Sequence, residues 1–217
     1  LFKSSLEVDA NTVREYNWTL RQTAESSLTL IVATSDAFVV EARSGGSKFL
    51  WALIWNLPRE ASEELVDQLG LVERLGGELR ELGIETVDSR ELLWRLAGGN
   101  PRALEWIEGV GVKAWLEGEV LQVVKKYARR LGWSTFLKHA ERLASDPDEL
   151  SYTPKLWQTA VKLNLALEVG GTVRLAELPR EPWIGRDYAY QLPAYWYAVK
   201  AIAKRKTLKV EPRDVVE

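Results

Sequence analysis

One short segment near the middle of the chain predicts the end of one helix and the start of another. It consists of two glycines, Gly98 and Gly99, followed by Asn100 and Pro101. Glycine accepts the left-handed conformation that often follows a helix, asparagine is a favoured N-cap, and proline is favoured at the first helical position. The segment therefore predicts a sharp corner between two helices, the first of which begins near Asp88.

Most of the remaining chain also predicts helices. Apolar residues recur at helical spacing, or follow typical helix-start residues, in residues 9–26, 59–91, 113–130, 136–143 and 153–164, and a further helix is expected near Ala194. The composition, with 46% hydrophobic residues, 15 Gly and 8 Pro in 217, excludes the disordered and fibrous classes. We predict a mainly α protein with a small α/β remnant.

The first of two apolar runs predicts a strand of this remnant. Residues 28–33 form this run, which is rich in β-branched residues, and residues 49–55 form a second apolar stretch that leads into Leu57 and Pro58. The first run ends at Thr34 and Ser35, where ligands would gather if the strand belonged to a parallel sheet. A buried strand that simply exits into a polar turn explains the same pattern.

The end of the chain predicts a helix followed by a hairpin. Residues 165–169 and 172–176 flank Gly170 and Gly171, a two-residue linker typical of β-hairpins. A helix followed by a hairpin is the skeleton of a winged helix. The loop at residues 146–148 contains a proline between two aspartates and predicts a domain border.

Charge and composition limit the location and the partners of the protein. The net charge is -2, so no global field attracts nucleic acid or anionic lipid. No apolar run approaches the roughly 20 residues of a membrane-spanning helix, and without Cys a disulfide is excluded, so we expect a cytoplasmic protein. The chain has no Met, even at Leu1, and we expect a fragment of a longer chain or a sequence from which residues are omitted.

The sequence has no recognisable catalytic constellation. His139 is the only histidine and has no partner at metal-site or triad spacing, so we expect a structural or surface role and predict no metal site. The phosphate loop, Gly-x-x-x-x-Gly-Lys followed by Ser or Thr, does not occur. The chain by itself therefore lacks the backbone amides and the lysine that ATP hydrolysis needs.

Four segments resemble the second half of archaeal P-loop ATPases of the AAA+ and STAND type. The resemblance spans residues 27–200, and its most specific element is the string from Gly98 to Leu104. The four segments are Thr-Ser-Asp at 34–36, Trp-Asn-Leu-Pro-Arg-Glu at 55–60, Leu-Trp-Arg-Leu-Ala-Gly-Gly-Asn-Pro-Arg-Ala-Leu at 93–104, and the glycine-containing stretch 184–193.

The resemblance implies three domains and an adenine-nucleotide ligand. Residues 1–58 would end the P-loop NTPase sheet of the nucleotide domain, 59–146 would form the helical lid, and 147–217 a winged-helix-like domain. Thr34 and Ser35 would stand at the sensor-1 position beside the γ-phosphate. The lid residues Gly98, Gly99, Asn100, Pro101 and Arg102 would contact the nucleotide, which is held between core and lid. ATP or ADP with Mg²⁺, and hydrolysis as an ATPase, are implied only if a phosphate loop lies upstream.

The resemblance leaves the alternatives open. Gly-Gly-Asn-Pro is also a good way to stop one helix and start another, and Arg43, Arg59 and Arg102 could contact phosphates or be solvated. The function implied is an ATP-binding switch of an archaeal, thermophilic organism. A second hypothesis is a non-enzymatic helical and winged-helix adaptor that binds DNA or protein.

A basic run near the end of the chain is the candidate nucleic-acid contact of either hypothesis. Its cations are Lys200, Lys204, Arg205 and Lys206. Such a run can bind phosphate backbones, and it can equally be a solvated helix face. Residues 183–197 are rich in Trp and Tyr, which we expect to pack onto the domain. The oligomeric state is left open.

Overall fold

The computed structural model describes residues 52–81, 88–174 and 177–216. The chain divides into two units, residues 1–51 and residues 52–217, and the described residues all belong to the second. The predicted helix at 9–26, the predicted strand at 28–33 and the candidate residues Thr34 and Ser35 lie outside the described residues. Within the described ranges no helix is long and apolar enough to cross a bilayer.

Helices dominate the second unit, as predicted. The ten α-helices of the described residues are α1 (Arg59–Gln68), α2 (Leu71–Glu81), α3 (Ser89–Ala97), α4 (Pro101–Val110), α5 (Val112–Trp115), α6 (Leu121–Leu131), α7 (Trp133–Leu143), α8 (Pro154–Lys162), α9 (Pro193–Arg205) and α10 (Pro212–Val216). A π-helical turn, Leu116–Val120, joins α5 to α6, and a 3-10 helix, Pro147–Tyr152, precedes α8. The helix predicted at 113–130 is therefore present but contains one wider turn.

Local capping sets the helix ends. The Asp88 side chain accepts a hydrogen bond of 2.9 Å from the N–H of Arg90 and begins α3. Thr153 caps α8 in the same way, through its hydroxyl and the N–H of Leu156. Each such cap satisfies an N–H that has no partner within its helix.

Helix α9 lies at the centre of the second unit. Nine of its 13 residues are buried, and it contacts α3, α6, α7 and α10. Four of the buried residues are alanines, at 194, 198, 201 and 203, whose small side chains let neighbouring helices approach closely. Because α3, α6 and α7 precede residue 146 and α9 follows it, the border predicted there lies within one continuous core.

The strands pair differently from the prediction. β2 (Ala166–Glu168) pairs antiparallel with β4 (Tyr188–Tyr190), and β3 (Val173–Arg174) pairs parallel with β1 (Ala52–Leu53). The hairpin predicted around Gly170 and Gly171 is therefore wrong, and the sequence argument for a winged helix fails with it. The pairing of β2 with β4 depends on tertiary packing, because β4 contributes Ala189 and Tyr190 to the core, both with no exposed surface.

Candidate functional site

The predicted helix corner is confirmed. Gly98 has φ +57°, and its N–H donates to the carbonyl oxygen of Trp94 at 2.8 Å, which ends α3. Asn100 is extended, and its side-chain oxygen accepts from the N–H of Ala103 at 3.0 Å, so it caps α4. The corner holds the five residues predicted to contact nucleotide, which are Gly98, Gly99, Asn100, Pro101 and Arg102.

Protein atoms fill the space beside both glycines. A Cβ on Gly98 would lie 2.7 Å from the ring carbons Cγ and Cδ of Pro193, at the start of α9. A Cβ on Gly99 would overlap the carbonyl oxygen of Leu57 and lie 3.1 Å from its carbonyl carbon. Both glycines are buried. They are therefore needed for close packing, and they present no free face to a ligand on these sides.

An amide chain ties the corner to two distant segments. The side-chain N–H of Asn100 donates to the side-chain oxygen of Asn56 at 3.0 Å, and the side-chain N–H of Asn56 donates to the carbonyl oxygen of Gln191 at 3.3 Å. The N–H of Leu57 adds a bond of 2.9 Å to the carbonyl oxygen of Gly99. The corner therefore joins the segment that precedes α1 to the segment that precedes α9. Asn56 and Gln191 both lie in segments that carry the resemblance, 55–60 and 184–193, but the sequence did not predict that they meet at the corner.

Two residues of the predicted set can reach a ligand. Pro101 and Arg102 are exposed at the first turn of α4. The guanidinium carbon of Arg102 lies 5.8 Å from the ring centre of Trp106. Burial raises the pKa of Tyr195 in α9, and the positive charge of Arg102 partly opposes that rise, so this cation acts on the start of α9. The exposed part of the corner thus combines an apolar ring with a cation.

The other arginine candidates do not converge on this corner. Arg43 lies outside the described residues. Arg59 donates to Glu63 at 2.9 Å and to Glu91 at 2.5 Å, and these hydrogen bonds raise the pKa of its guanidinium. The Arg59 cation is therefore already paired with two carboxylates.

The predicted basic run is on the described chain, but its cations do not act as one group. The Nζ of Lys200 lies 4.9 Å from the ring centre of Trp196. Arg205 forms an ion pair with Asp214 of α10. Lys206 has φ +52° and ends α9, while Lys204 is exposed. The charge of Arg205 is therefore neutralised by Asp214, which lies outside the run.

A carboxylate cradle lies in the stretch at 184–193. The backbone N–H groups of Arg186, Asp187 and Tyr188 all donate to the Asp148 carboxylate, each at 2.9 Å. Gly185 allows this approach, since a Cβ there would overlap that carboxylate. The anion that the glycine-containing stretch binds is thus the side-chain carboxylate of Asp148. The sequence predicted a loop and a domain border at residues 146–148, and it gave no sign that Asp148 accepts these hydrogen bonds.

The aromatic tail packs into the core, as predicted. Trp183, Tyr190, Tyr195 and Trp196 are buried. The hydroxyl of Tyr190 donates to the carbonyl oxygen of Leu143 at 3.2 Å, and burial raises its pKa. His139, for which the sequence predicted a structural or surface role, is also buried, with its Nδ1 2.9 Å from a carboxylate oxygen of Glu149.

In the described ranges no group of three or more His, Cys, Asp or Glu side chains is arranged to hold a metal ion. Comparisons with protein-family models, with curated proteins and with solved structures found no match to this chain.

Proposed function

We propose that this chain is the carboxyl-terminal part of an ATP-binding switch protein that resembles the AAA+ and STAND ATPases, with the α3–α4 corner at the nucleotide. One observation carries the proposal. The corner that the resemblance assigns to the lid is bonded to Asn56 and Leu57, on the stretch that directly follows residues 1–51 in the sequence. In the resemblance, that preceding region belongs to the nucleotide domain.

The residues of the corner divide into two roles. Gly98, Gly99 and Asn100 hold its shape through the contacts with Pro193, Leu57 and Asn56. Pro101 and Arg102 are exposed, and we assign the nucleotide contacts to them. The proline ring offers an apolar surface to adenine, and the guanidinium can donate to phosphate oxygens in bidentate geometry.

The switch uses the bonds that join three segments. A nucleotide that favours one position of the stretch 52–58 would favour or break its bonds to the corner. The corner in turn touches Pro193, the first residue of α9, and α9 packs against most of the core. A displacement of a few tenths of an ångström at Leu57 therefore has a direct path to the central helix, because the Gly99 contact has no free space to absorb it.

Nucleotide titration of the full-length natural protein tests the proposal. We expect ATP and ADP to bind, and Arg102→Ala to weaken binding by about 1.5 to 3 kcal/mol, the typical contribution of a charged hydrogen bond. Pro101→Ala should weaken binding less, since it removes only apolar contact. Arg142→Ala, which removes an arginine of α7 whose side chain is 66% exposed, is the matched control and should bind as the parent does.

Two results would contradict the proposal. One is an ATP affinity that neither Arg102→Ala nor Pro101→Ala changes, measured by calorimetry on folded protein. The other is an equal loss in Arg142→Ala, which would indicate a general electrostatic effect and no specific contact at the corner.

A further inference from the structure

The strongest unexplained feature of the described chain is a basic surface at the junction of α6 and α7. Residues 120–140 contain Lys125, Lys126, Arg129, Arg130 and Lys138 and no Asp or Glu, in a chain whose net charge is -2. Charge is therefore segregated along the chain, since residues 59–91 carry ten acids and four bases. The basicity of α6 does not follow from the overall composition.

The cations of α6 point outward. Lys126, Arg129 and Arg130 are exposed, while Val124, Tyr127 and Leu131 on the opposite side are buried. Lys126 lies three positions from Arg129 and four from Arg130, so both arginines neighbour Lys126 on the outer face of the helix. Like charges at this spacing destabilise a helix by a few tenths of a kcal/mol, and no carboxylate of α6 compensates for them.

Six other arginines of the described ranges are paired with carboxylates. Ion pairs join Arg59, Arg74, Arg90, Arg142, Arg186 and Arg205 to Asp or Glu side chains. Among the described residues, no ion pair is found for Arg129 or Arg130, nor for Arg95, Arg102 or Arg180. Arg129 and Arg130 are adjacent in the sequence, so two arginines without an acidic partner in the described part stand together on α6.

Lys155 and Trp133 complete the surface. The Nζ of Lys155, in the first turn of α8, donates to the carbonyl oxygen of Leu131 at 3.0 Å, which places a further cation at the end of α6. Trp133, two residues after the end of α6 at Leu131, is the first residue of α7. It is 37% exposed, although its ring stacks on Phe136.

Between α6 and α7, Gly132 has φ +88°, and a Cβ there would have nothing within 4 Å. The backbone at the junction is therefore open and approachable. We define the basic corner as Lys126, Arg129, Arg130, Trp133 and Lys155.

We propose that the basic corner binds single-stranded nucleic acid. Guanidinium and ammonium groups neutralise phosphates of the backbone, and an exposed indole can stack on an unpaired base. Charge complementarity favours a polyanion, and the aromatic side chain among the cations favours one with flat, unpaired bases. The basic corner shares no residue with the run at 200–206, whose Arg205 is paired with Asp214.

Fluorescence anisotropy with labelled 20-nucleotide oligothymidine and oligouridine tests the proposal. We expect binding at 50 mM salt that weakens as salt rises, with a slope of log K against log salt of roughly -2 to -3, for three or four phosphates contacted. Arg129→Gln together with Arg130→Gln should reduce affinity at least about tenfold and flatten the slope by about 1.4. Trp133→Ala should reduce affinity about fivefold or more without changing the slope.

The matched control exchanges two exposed cations outside the basic corner. Lys204→Gln with Lys206→Gln removes the same charge from the end of α9 and should leave affinity within about twofold of the parent. Thermal unfolding of each variant checks that it is folded, which we expect because all five substituted positions are exposed.

Several outcomes would overturn the proposal. They are no binding at 50 mM salt, an equal loss in the Lys204 and Lys206 variant, or unchanged affinity in the Arg129 and Arg130 variant. A blunt duplex that binds as tightly as the single strands, with no effect of Trp133→Ala, would overturn the stacking contact. Binding to vesicles of anionic lipid but to neither oligonucleotide would assign the surface to a membrane.

Discussion

Leu57 and Gly99 are joined by a backbone hydrogen bond of 2.9 Å, and the carbonyl group of Leu57 lies directly against the α-carbon of Gly99. Gly99 also has φ +74°, a conformation that costs other residues about 1 kcal/mol or more. Position 99 is therefore restricted to glycine for two independent reasons. The contact links the segment before α1 to the corner that begins α4.

Gly99→Ala should destabilise the protein by about 3 kcal/mol or more, because the new methyl group must displace the Leu57 backbone in addition to adopting a strained φ. Gly109→Ala is the matched control. Gly109 lies inside α4 with open space around its α-carbon, so alanine there should stabilise the helix by about 0.5 to 1 kcal/mol. Urea denaturation of the two variants should show shifts of opposite sign, and shifts of the same sign would refute this account of the corner.

Asp148→Ala should destabilise the cradle, because the N–H groups of Arg186, Asp187 and Tyr188 lose a charged acceptor. We expect a loss of about 2 to 4 kcal/mol in the free energy of unfolding, since water can replace part of the lost bonding. Asp148→Asn keeps one acceptor oxygen and should lose about half as much. Glu105→Gln, an exposed change on α4, should have no measurable effect. A stable Asp148→Ala protein would show that the cradle does not need its anion.

Stability should fall as pH rises above about 10, the ordinary pKa of tyrosine. Burial raises the pKa of Tyr127, Tyr190 and Tyr195 above that value. Between the unfolded and the folded pKa, the unfolded chain releases phenol protons that the folded protein retains, which favours unfolding. Each such tyrosine adds a slope of about 1.4 kcal/mol per pH unit.

Tyr190→Phe isolates one of these contributions. The variant should lose about 1 kcal/mol near pH 8, because the bond to Leu143 is absent, yet its stability should fall less steeply between pH 10 and pH 12. Tyr152→Phe, which removes a hydroxyl from a residue that is 59% exposed, is the control for loss of a tyrosine hydroxyl at the surface. Urea unfolding midpoints measured between pH 10 and pH 12 test this contribution. Parallel profiles for Tyr190→Phe and the parent would show that the buried Tyr190 hydroxyl does not cause the loss of stability at high pH.

The His139 and Glu149 pair should show a coupling free energy of about 1 to 2 kcal/mol in a double-mutant cycle of His139→Ala and Glu149→Gln. Both side chains are largely buried, at 6% and 14% exposure, so water competes weakly for their bond. The exposed pair Arg74 and Glu108, at 54% and 44%, is the control and should couple by less than about 1 kcal/mol. Equal coupling free energies in the two cycles would show that burial does not strengthen the His139 and Glu149 pair.

The sequence predicted local features well. The glycine-glycine-asparagine-proline corner, the start of α3 at Asp88 and the start of α8 after Thr153 are where the capping pattern placed them. Each depends on groups within four residues of one another. The burial of the aromatic tail followed from its composition, because rings of this size are stable in a core.

Distant contacts were not predictable in the same way. The pairing of β2 with β4, the cradle around Asp148 and the amide chain through Asn56 and Gln191 join residues 20 to 135 positions apart. No local pattern specifies such partners, because they meet only after the helices pack. The acid-free run at 120–140 was visible in the sequence, but only the structure showed which of its cations are exposed together.

The sequence by itself determined where helices begin and end, since capping and backbone preference act over a few neighbouring residues. Only the tertiary structure decided what fills the faces of Gly98 and Gly99, which strand accompanies β2, and which charges stay without an acidic partner in the described residues. The physical reason is that close packing and ion pairing depend on distances through space, and the core around α9 sets those distances.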